Sequence, residues 1–287
     1  MTTIGAVYPP SYPPERLPAA ARAAEAAGLD ELWLWEDCFR QGGLVSMTAA
    51  LAVTERLRVG IGVLPVPMRN VAIAAMEIAA VERMYPGRPI IGIGHGVQDW
   101  MGQIGARASS PLTLLREYTV ALRALLAGER VDTSGRYVHL DAVTLDWPPA
   151  SPPALHASAT GPKTLDLVGA VADGVVLTGG TSPDEVRTAV ARTTAARADA
   201  GRTGPFAVTV YLPVATGPNA AARLAAQSEI FGHDLYGVAG DAADIAGAVA
   251  ELAEAGATSV VLQPPWDDDD PEAFVSLVAT QVAPLTR

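Results

Sequence analysis

The 287-residue sequence has one cysteine, Cys38, and one lysine, Lys163; its other basic residues are arginines. A single thiol excludes an intrachain disulfide and suits the cytoplasm. Charged residues make up 18% of the chain, below the usual quarter. They leave a net charge of −11, which argues against nucleic acid or an anionic membrane surface as partners. It leaves room for a local basic pocket that takes a small anionic molecule. No apolar run reaches the roughly eighteen residues of a membrane span, so none is expected. The opening residues, Met1 to Gly5, lack a basic stretch followed by a long apolar one, so no secretory leader is expected. The sequence also lacks a G-x-S-x-G elbow, an H-E-x-x-H helix and a G-x-x-x-x-G-K-[ST] phosphate loop. Its four histidines, His95, His139, His156 and His233, show no metal-ligand spacing, and no metal site is expected.

Strand and helix patterns alternate along the chain. Apolar runs at 4–8, 31–36, 58–64, 89–94, 153–158, 175–178, 206–214 and 258–263 read as strands. Helical patterns follow at 14–28, 46–55, 70–84, 111–127, 162–172, 182–200 and 241–255, with a last helix from about Pro271. Gly28 is a C-cap candidate, and Ser46, Asn70 and Ser110 are N-cap candidates. Ser182-Pro183-Asp184-Glu185 reads as a capping box. Residues 129–150 read as an excursion with a hairpin across 131–145, and 217–240 as an irregular, partly helical segment. Hydrophobic content of 49% can fill a sizeable core. Runs such as VGIGVL and SVVLQ suit parallel strands buried on both faces. Eight strand–helix units without a linker predict an α/β fold, a single-domain (β/α)8 TIM barrel over 1–287, with a doubly wound open sheet as the alternative.

In such a barrel the reactive groups sit where strands run into the following helices. After strand two, WLWEDCF places Glu36 and Asp37 between aromatic residues, as hydrogen-bond acceptors or an acid/base pair. After strand three, Gly60 and Gly62 suggest a bulge or a close backbone approach by a ligand. After strand four, GIGHGVQDWM superficially resembles a dinucleotide fingerprint. It lacks the third glycine at the right spacing, and no helix is expected before Ser110, so that reading is rejected. What remains is a backbone-lined loop carrying His95. After strand five, Thr160-Gly161-Pro162-Lys163-Thr164 opens a helix whose free amides and dipole favour an anion, with two hydroxyls and one ammonium added. TGGTSP after strand six is a second glycine-rich turn that could join the same pocket. The run Asp267–Asp270 reads as a solvated acidic helix start.

In this order, AEAAGLDELWLWED, RNVAIAAMEIAAVERMYPGRPIIGIGHG, REYTVALRALLAGE and SATGPKTLDLVGAVADGVVL resemble the luciferase-like flavin and deazaflavin oxidoreductases. The resemblance covers 24–177, and AGATSVVLQP fits the barrel's last strand. It is greatest to the branch using coenzyme F-420 (F420), an 8-hydroxy-5-deazaflavin, because a long insertion is lacking and WLWEDCF is present. The resemblance implies a homodimeric oxidoreductase that moves a hydride between F420 and a small organic substrate. Gly62 and Val63 match a non-proline cis peptide behind the ring. His95 and Gly96 match the loop beside it. Thr160, Gly161, Lys163 and Thr164 match the loop that holds the cofactor phosphate. Many relatives carry Asp-His or Glu-His after strand two, where this chain has Glu36-Asp37. The histidine's role is then absent, or falls to Asp37 or to His95. The acid/base glutamate after strand four of the sugar-phosphate dehydrogenases is Val97 here, so that chemistry is not expected. Two alternatives stay open: an FMN-dependent monooxygenase, and a non-catalytic flavin- or deazaflavin-binding barrel.

Overall fold

A computed structural model describes residues 2–231 and 235–286. His233 lies outside the described residues. The strands are β1 (Thr3–Tyr8), β2 (Glu31–Leu34), β3 (Arg58–Pro65), β4 (Pro89–Gly94), β5 (Val131–Ser134), β6 (His139–Val143), β7 (Leu155–Ser158), β8 (Gly174–Leu177), β9 (Ala207–Ala215), β10 (Val238–Ala239) and β11 (Ser259–Gln263). The helices are α1 (Leu17–Ala26), α2 (Gly43–Leu51), α3 (Val71–Met84), α4 (Gln98–Gln103), α5 (Pro111–Leu126), α6 (Pro162–Val171), α7 (Pro183–Asp199), α8 (Ala220–Phe231), α9 (Ala242–Glu254) and α10 (Pro271–Leu277).

β1, β2, β3, β4, β7, β8, β9 and β11 pair in parallel, and β11 returns to β1. The sheet is therefore a closed (β/α)8 barrel, and the open-sheet alternative falls. The apolar runs are continuous because both strand faces are covered. Every residue of β2, β4, β8 and β11 is buried. Outward residues pack under the helices in one large cluster that includes Leu32, Leu34, Ile91 and Ile93. Val7, Trp33, Ile90, Val176, Tyr211 and Val261 fill the barrel itself. The excursion is the antiparallel pair β5–β6. Glu117 of α5 pins it by accepting from the amides of Arg136, Tyr137 and Val138. The segment 217–240 holds α8 and the two-residue β10 in its described part. Among the described residues no helix is long and apolar enough to cross a membrane.

Three local expectations need correction. Ser46 does not cap α2, which starts at Gly43 after Gly42, because the Glu36 carboxylate accepts from the Gly43 amide at 2.5 Å. A short helix, α4, opens at Gln98 where coil was expected before Ser110. The closed barrel still excludes the dinucleotide-fold reading. The acidic run is not simply solvated: Asp267 pairs with Arg223, and Asp268 accepts from the Tyr12 hydroxyl at 2.5 Å. Asp270 does cap its helix, accepting from the Ala273 amide. The capping box at Ser182 and Glu185 and the Asn70 cap form as their sequences predict.

Candidate active site

β2 sorts its residues by alternation. Leu32 and Leu34 join the helix side, while Trp33 and Trp35 join the barrel side. Past the strand end the same parity separates two neighbouring carboxylates. Glu36 is buried on the helix side, where it binds both terminal nitrogens of Arg69 and caps α2. Its oxygens are committed to that network, so Glu36 is a structural anchor rather than half of an acid/base pair. Asp37 follows the tryptophans. Burial raises its carboxyl above the usual aspartate range, and the nearby Arg40 guanidinium pulls the other way.

The tryptophans lead onto an aromatic floor. The Tyr211 ring of β9 meets Trp33 edge-on at 5.9 Å and Trp35 at 5.6 Å between centroids. Trp35 lies 6.2 Å from Trp266, just past β11, and Arg40 stands 6.0 Å from the centre of the Trp266 ring. The glycines of β3 make this floor possible. A Cβ at Gly60 would lie 2.5 Å from the Trp33 indole, and one at Gly62 would lie 1.8 Å from the Tyr211 oxygen. The close approach predicted for these glycines is thus, within this chain, an approach by its own aromatic rings. The Gly62–Val63 peptide is cis, and β3 shifts register against β4 between Ile61 and Leu64. The Cys38–Phe39 peptide is also cis, and the Cys38 thiol lies 3.5 Å from the Met68 sulfur.

At the end of β4, bare backbone lines the barrel. A Cβ on Gly94 would come within 2.6 Å of Val63. Ile91 and Ile93 face the helices. His95 continues their parity and lies half-buried beside Pro111, the first residue of α5. Burial lowers its imidazole below the ordinary histidine value, while the Pro111 backbone favours the charged ring. Its Nδ1 is buried without a hydrogen-bond partner among the described residues. Gly96 has φ +68°, a conformation that favours glycine, and a Cβ there would also press on Met101 and Pro65.

β7 ends in the segment 159–161, and Gly161 caps α6 with extended backbone and no capping side chain. Pro162 occupies the first helical position, and the amides of Thr164 and Leu165 turn back to the Gly161 carbonyl. Thr160 and Lys163 are exposed. No ion pair or hydrogen bond engages the Lys163 ammonium among the described residues. In the turn after β8, a Cβ on Gly179 would lie 2.7 Å from the Gln263 side chain. Asp37, His95, the Lys163 loop and the Gly179 turn therefore all follow the C-terminal ends of barrel strands, at one mouth. His156 lies elsewhere, at the opposite end of the barrel, and His139 is exposed on β6. No cluster of metal-binding side chains occurs among the described residues.

The closed barrel, with Asp37, His95 and Lys163 all on loops after its strands, defines an α/β barrel of the (β/α)8 class. The chain belongs to the luciferase-like monooxygenase family, whose model matches residues 2–260. It is 30% identical over 200 residues to the 5,10-methylenetetrahydromethanopterin reductase of Methanolobus tindarius, covering 70% of this chain and 61% of that protein. It is 29% identical over 184 residues to the F420-dependent glucose-6-phosphate dehydrogenase of Nakamurella multipartita, covering 60% and 54%. The chain thus spans less than two thirds of the length of these curated relatives. The solved coenzyme F420-dependent tetrahydromethanopterin reductase of Methanopyrus kandleri shares the fold along the whole chain, with TM-score 0.85, 21% identity and coverage of 100% and 99%.

Proposed function

We propose that this protein is an oxidoreductase that moves a hydride between coenzyme F420 and a small organic substrate. The observation that carries the reading is Asp37, a half-buried carboxyl near an aromatic floor at a strand end, in a chain whose curated relatives include enzymes named as F420-dependent. The mouth fits such a cofactor. Its floor is aromatic, and its one lysine stands at a helix start.

When bound, F420 supplies the ring carbon that takes or gives the hydride. Gly62 and Val63 would back the ring, and His95 and Gly96 would line its side. Thr160, Gly161, Lys163 and Thr164 would hold the phosphodiester through hydroxyls, helix amides and one ammonium. Asp37 would hold or release the accompanying proton at a carboxyl oxygen. Burial raises that carboxyl above the usual aspartate range, the direction expected of a group that is to hold a proton. His95, kept neutral by burial, would serve packing and hydrogen bonding rather than charge.

The family description supports a second reading, an FMN-dependent monooxygenase on the same barrel. One titration separates the two. Purified protein should bind F420 with micromolar or better affinity by fluorescence quenching, and FMN and NADPH far more weakly. Equal or tighter binding of FMN would overturn the F420 reading. We further propose a cytoplasmic protein without a nucleic-acid partner, in keeping with its single cysteine and net charge of −11, and a homodimer, on the family resemblance alone. Sedimentation at micromolar concentration tests the dimer.

A further inference from the structure

Gln263, the last residue of β11, is a buried amide at the mouth without an internal task. Val260 and Leu262 pack toward the helices and Val261 fills the barrel, so Gln263 faces inward by alternation. The residue is 2% exposed. No hydrogen bond engages its carboxamide among the described residues. That carboxamide is not sealed, however. Both of its polar atoms keep contact with solvent, whereas those of Gln227 are unpaired and closed off. Buried polar groups are almost always hydrogen-bonded, so an amide left free and reachable at a barrel mouth is set for a ligand.

The wall around it is shaped to that amide. A Cβ on Gly179, in the turn after β8, would lie 2.7 Å from the amide oxygen and 3.6 Å from the Pro213 ring. Gly179 thus leaves the space that the amide oxygen uses. Pro213 is the register partner of Gln263 on β9. Gly179, Pro213 and Gln263 form a neutral wall across β8, β9 and β11. β1 and β2 separate this wall from β3, where Gly62 and Val63 would back the ring, and the Lys163 loop follows β7. The wall is therefore left for the substrate. An anionic substrate would meet the Asp37 carboxyl at the same mouth, and the Arg40 charge is already set against Asp37. An uncharged one meets no such obstacle. A hydroxyl can donate to the amide oxygen and a carbonyl can accept from the amide nitrogen, so one carboxamide suits both forms of a hydride-transfer couple.

Resting on the F420 reading of the mouth, we propose that Gln263 is a specificity-determining residue, and that the substrate is an uncharged hydroxyl or carbonyl compound whose oxygen meets its carboxamide. The glycine at 179 serves the same end by giving the amide room.

Isothermal titration of the full-length protein, with F420 in excess, tests this with ligands of one shape: cyclohexanone, cyclohexanecarboxylate and cyclohexylamine, a cation at neutral pH. Cyclohexanone should bind with a Kd of about 10 mM or tighter. The carboxylate should bind at least ~10-fold more weakly, since burying an unpaired charge is costly. Gln263→Leu nearly keeps the volume and removes both polar atoms. It should weaken cyclohexanone ~5-fold or more, the contribution of one hydrogen bond, while F420 affinity stays within about twofold. Gln263→Glu changes little but the charge and should turn the preference round, with cyclohexylamine bound ~10-fold tighter than by wild type. A merely structural role for the amide gives no such reversal. Gly179→Ala crowds the amide from the facing turn and should weaken cyclohexanone in the same direction, which keeps the test decisive if Gln263→Leu fails to fold. Unchanged cyclohexanone binding in these two variants, equal or tighter binding of the carboxylate, or no saturable binding of cyclohexanone would each overturn the proposal; the last would mean that hydration alone meets the amide. A parallel loss of F420 affinity in Gln263→Leu would also overturn it, by making the amide a cofactor ligand. Failure of the wild type to bind F420 would overturn the cofactor reading first, and this one with it.

Discussion

The Tyr211 hydroxyl lies 3.4 Å from the Gly62 carbonyl oxygen, and a Cβ at Gly62 would lie 1.8 Å from that hydroxyl. Tyr211 is buried among Trp33, Trp35 and Val261, so its ring has nowhere cheap to go. Residue 62 is glycine because the phenol takes the space of a side chain. Gly62→Ala should therefore destabilise the fold by about 1–3 kcal/mol, the range for overpacking a core. Adding Tyr211→Phe removes the clashing oxygen and should restore part of that loss. Denaturant unfolding of both single variants and the double variant checks it. Strict additivity of the two would show that these residues do not oppose each other.

Glu36 and Asp37 fall on opposite sides of the barrel wall by the parity of β2. Glu36→Ala leaves Arg69, whose side chain is 20% exposed, without its buried partner and strips the cap from α2. Breaking a buried pair from one side costs about 3–5 kcal/mol when the other charge is left unpaired, and the remaining Glu77 carboxylate, 3.5 Å from Arg69, should hold the loss to about the lower end of that range. The variant should unfold at much lower denaturant, while its folded fraction should keep F420 affinity within about threefold. A large loss of affinity with unchanged stability would move Glu36 into the mouth.

Asp37 should show the opposite pattern. Asp37→Asn is expected to lower turnover ~100-fold or more, the range for losing a general acid or base, with little change in F420 affinity. Its effect on stability has a sign. A carboxyl raised in the folded state binds its proton more tightly there than in the unfolded chain. Its contribution is most favourable below the ordinary aspartate value and is lost as pH rises through the raised one. Asp37→Asn should therefore raise the melting temperature at pH 7.5, and the gain should vanish at the acid end. An equal gain at both pH values would remove desolvation of Asp37 as its cause.

The barrel was legible because each strand is buried on both faces, and runs such as VGIGVL and SVVLQ carry that burial openly. The different fates of Glu36 and Asp37 were written in the parity of WLWEDCF: Trp33, Trp35 and Asp37 share one side. Locally the two acids look alike, because Arg69 lies 33 residues on. The start of α2 was hidden for the same reason, since its cap comes from Glu36 rather than from Ser46. α4 carries no capping side chain, so nothing local marks its start. The neutral wall of the mouth draws Gly179 from the turn after β8, Pro213 from β9 and Gln263 from β11. Only closure and register bring them together.

Lys163 gives the sharpest test of the cofactor reading. It is the only lysine in the chain, exposed at the second position of α6, beside Thr160 and Thr164. A charge at a helix end is worth roughly 0.3–1 kcal/mol when exposed and up to about 2 when partly buried. A charge-assisted hydrogen bond to phosphate adds to this. Lys163→Ala should therefore cost about 1–2 kcal/mol of F420 affinity, roughly 5- to 30-fold. Folding stability should stay within about 0.5 kcal/mol, as for most exposed substitutions. The difference between wild type and variant should shrink as salt rises, since screening weakens only the charged contact. A cofactor fragment without the phosphate is the control that decides. It should bind both proteins alike. If Lys163→Ala weakens the phosphate-free fragment as much as whole F420, the lysine is not a phosphate ligand. If it weakens neither, the ammonium is a surface charge and the anion site lies elsewhere along the mouth.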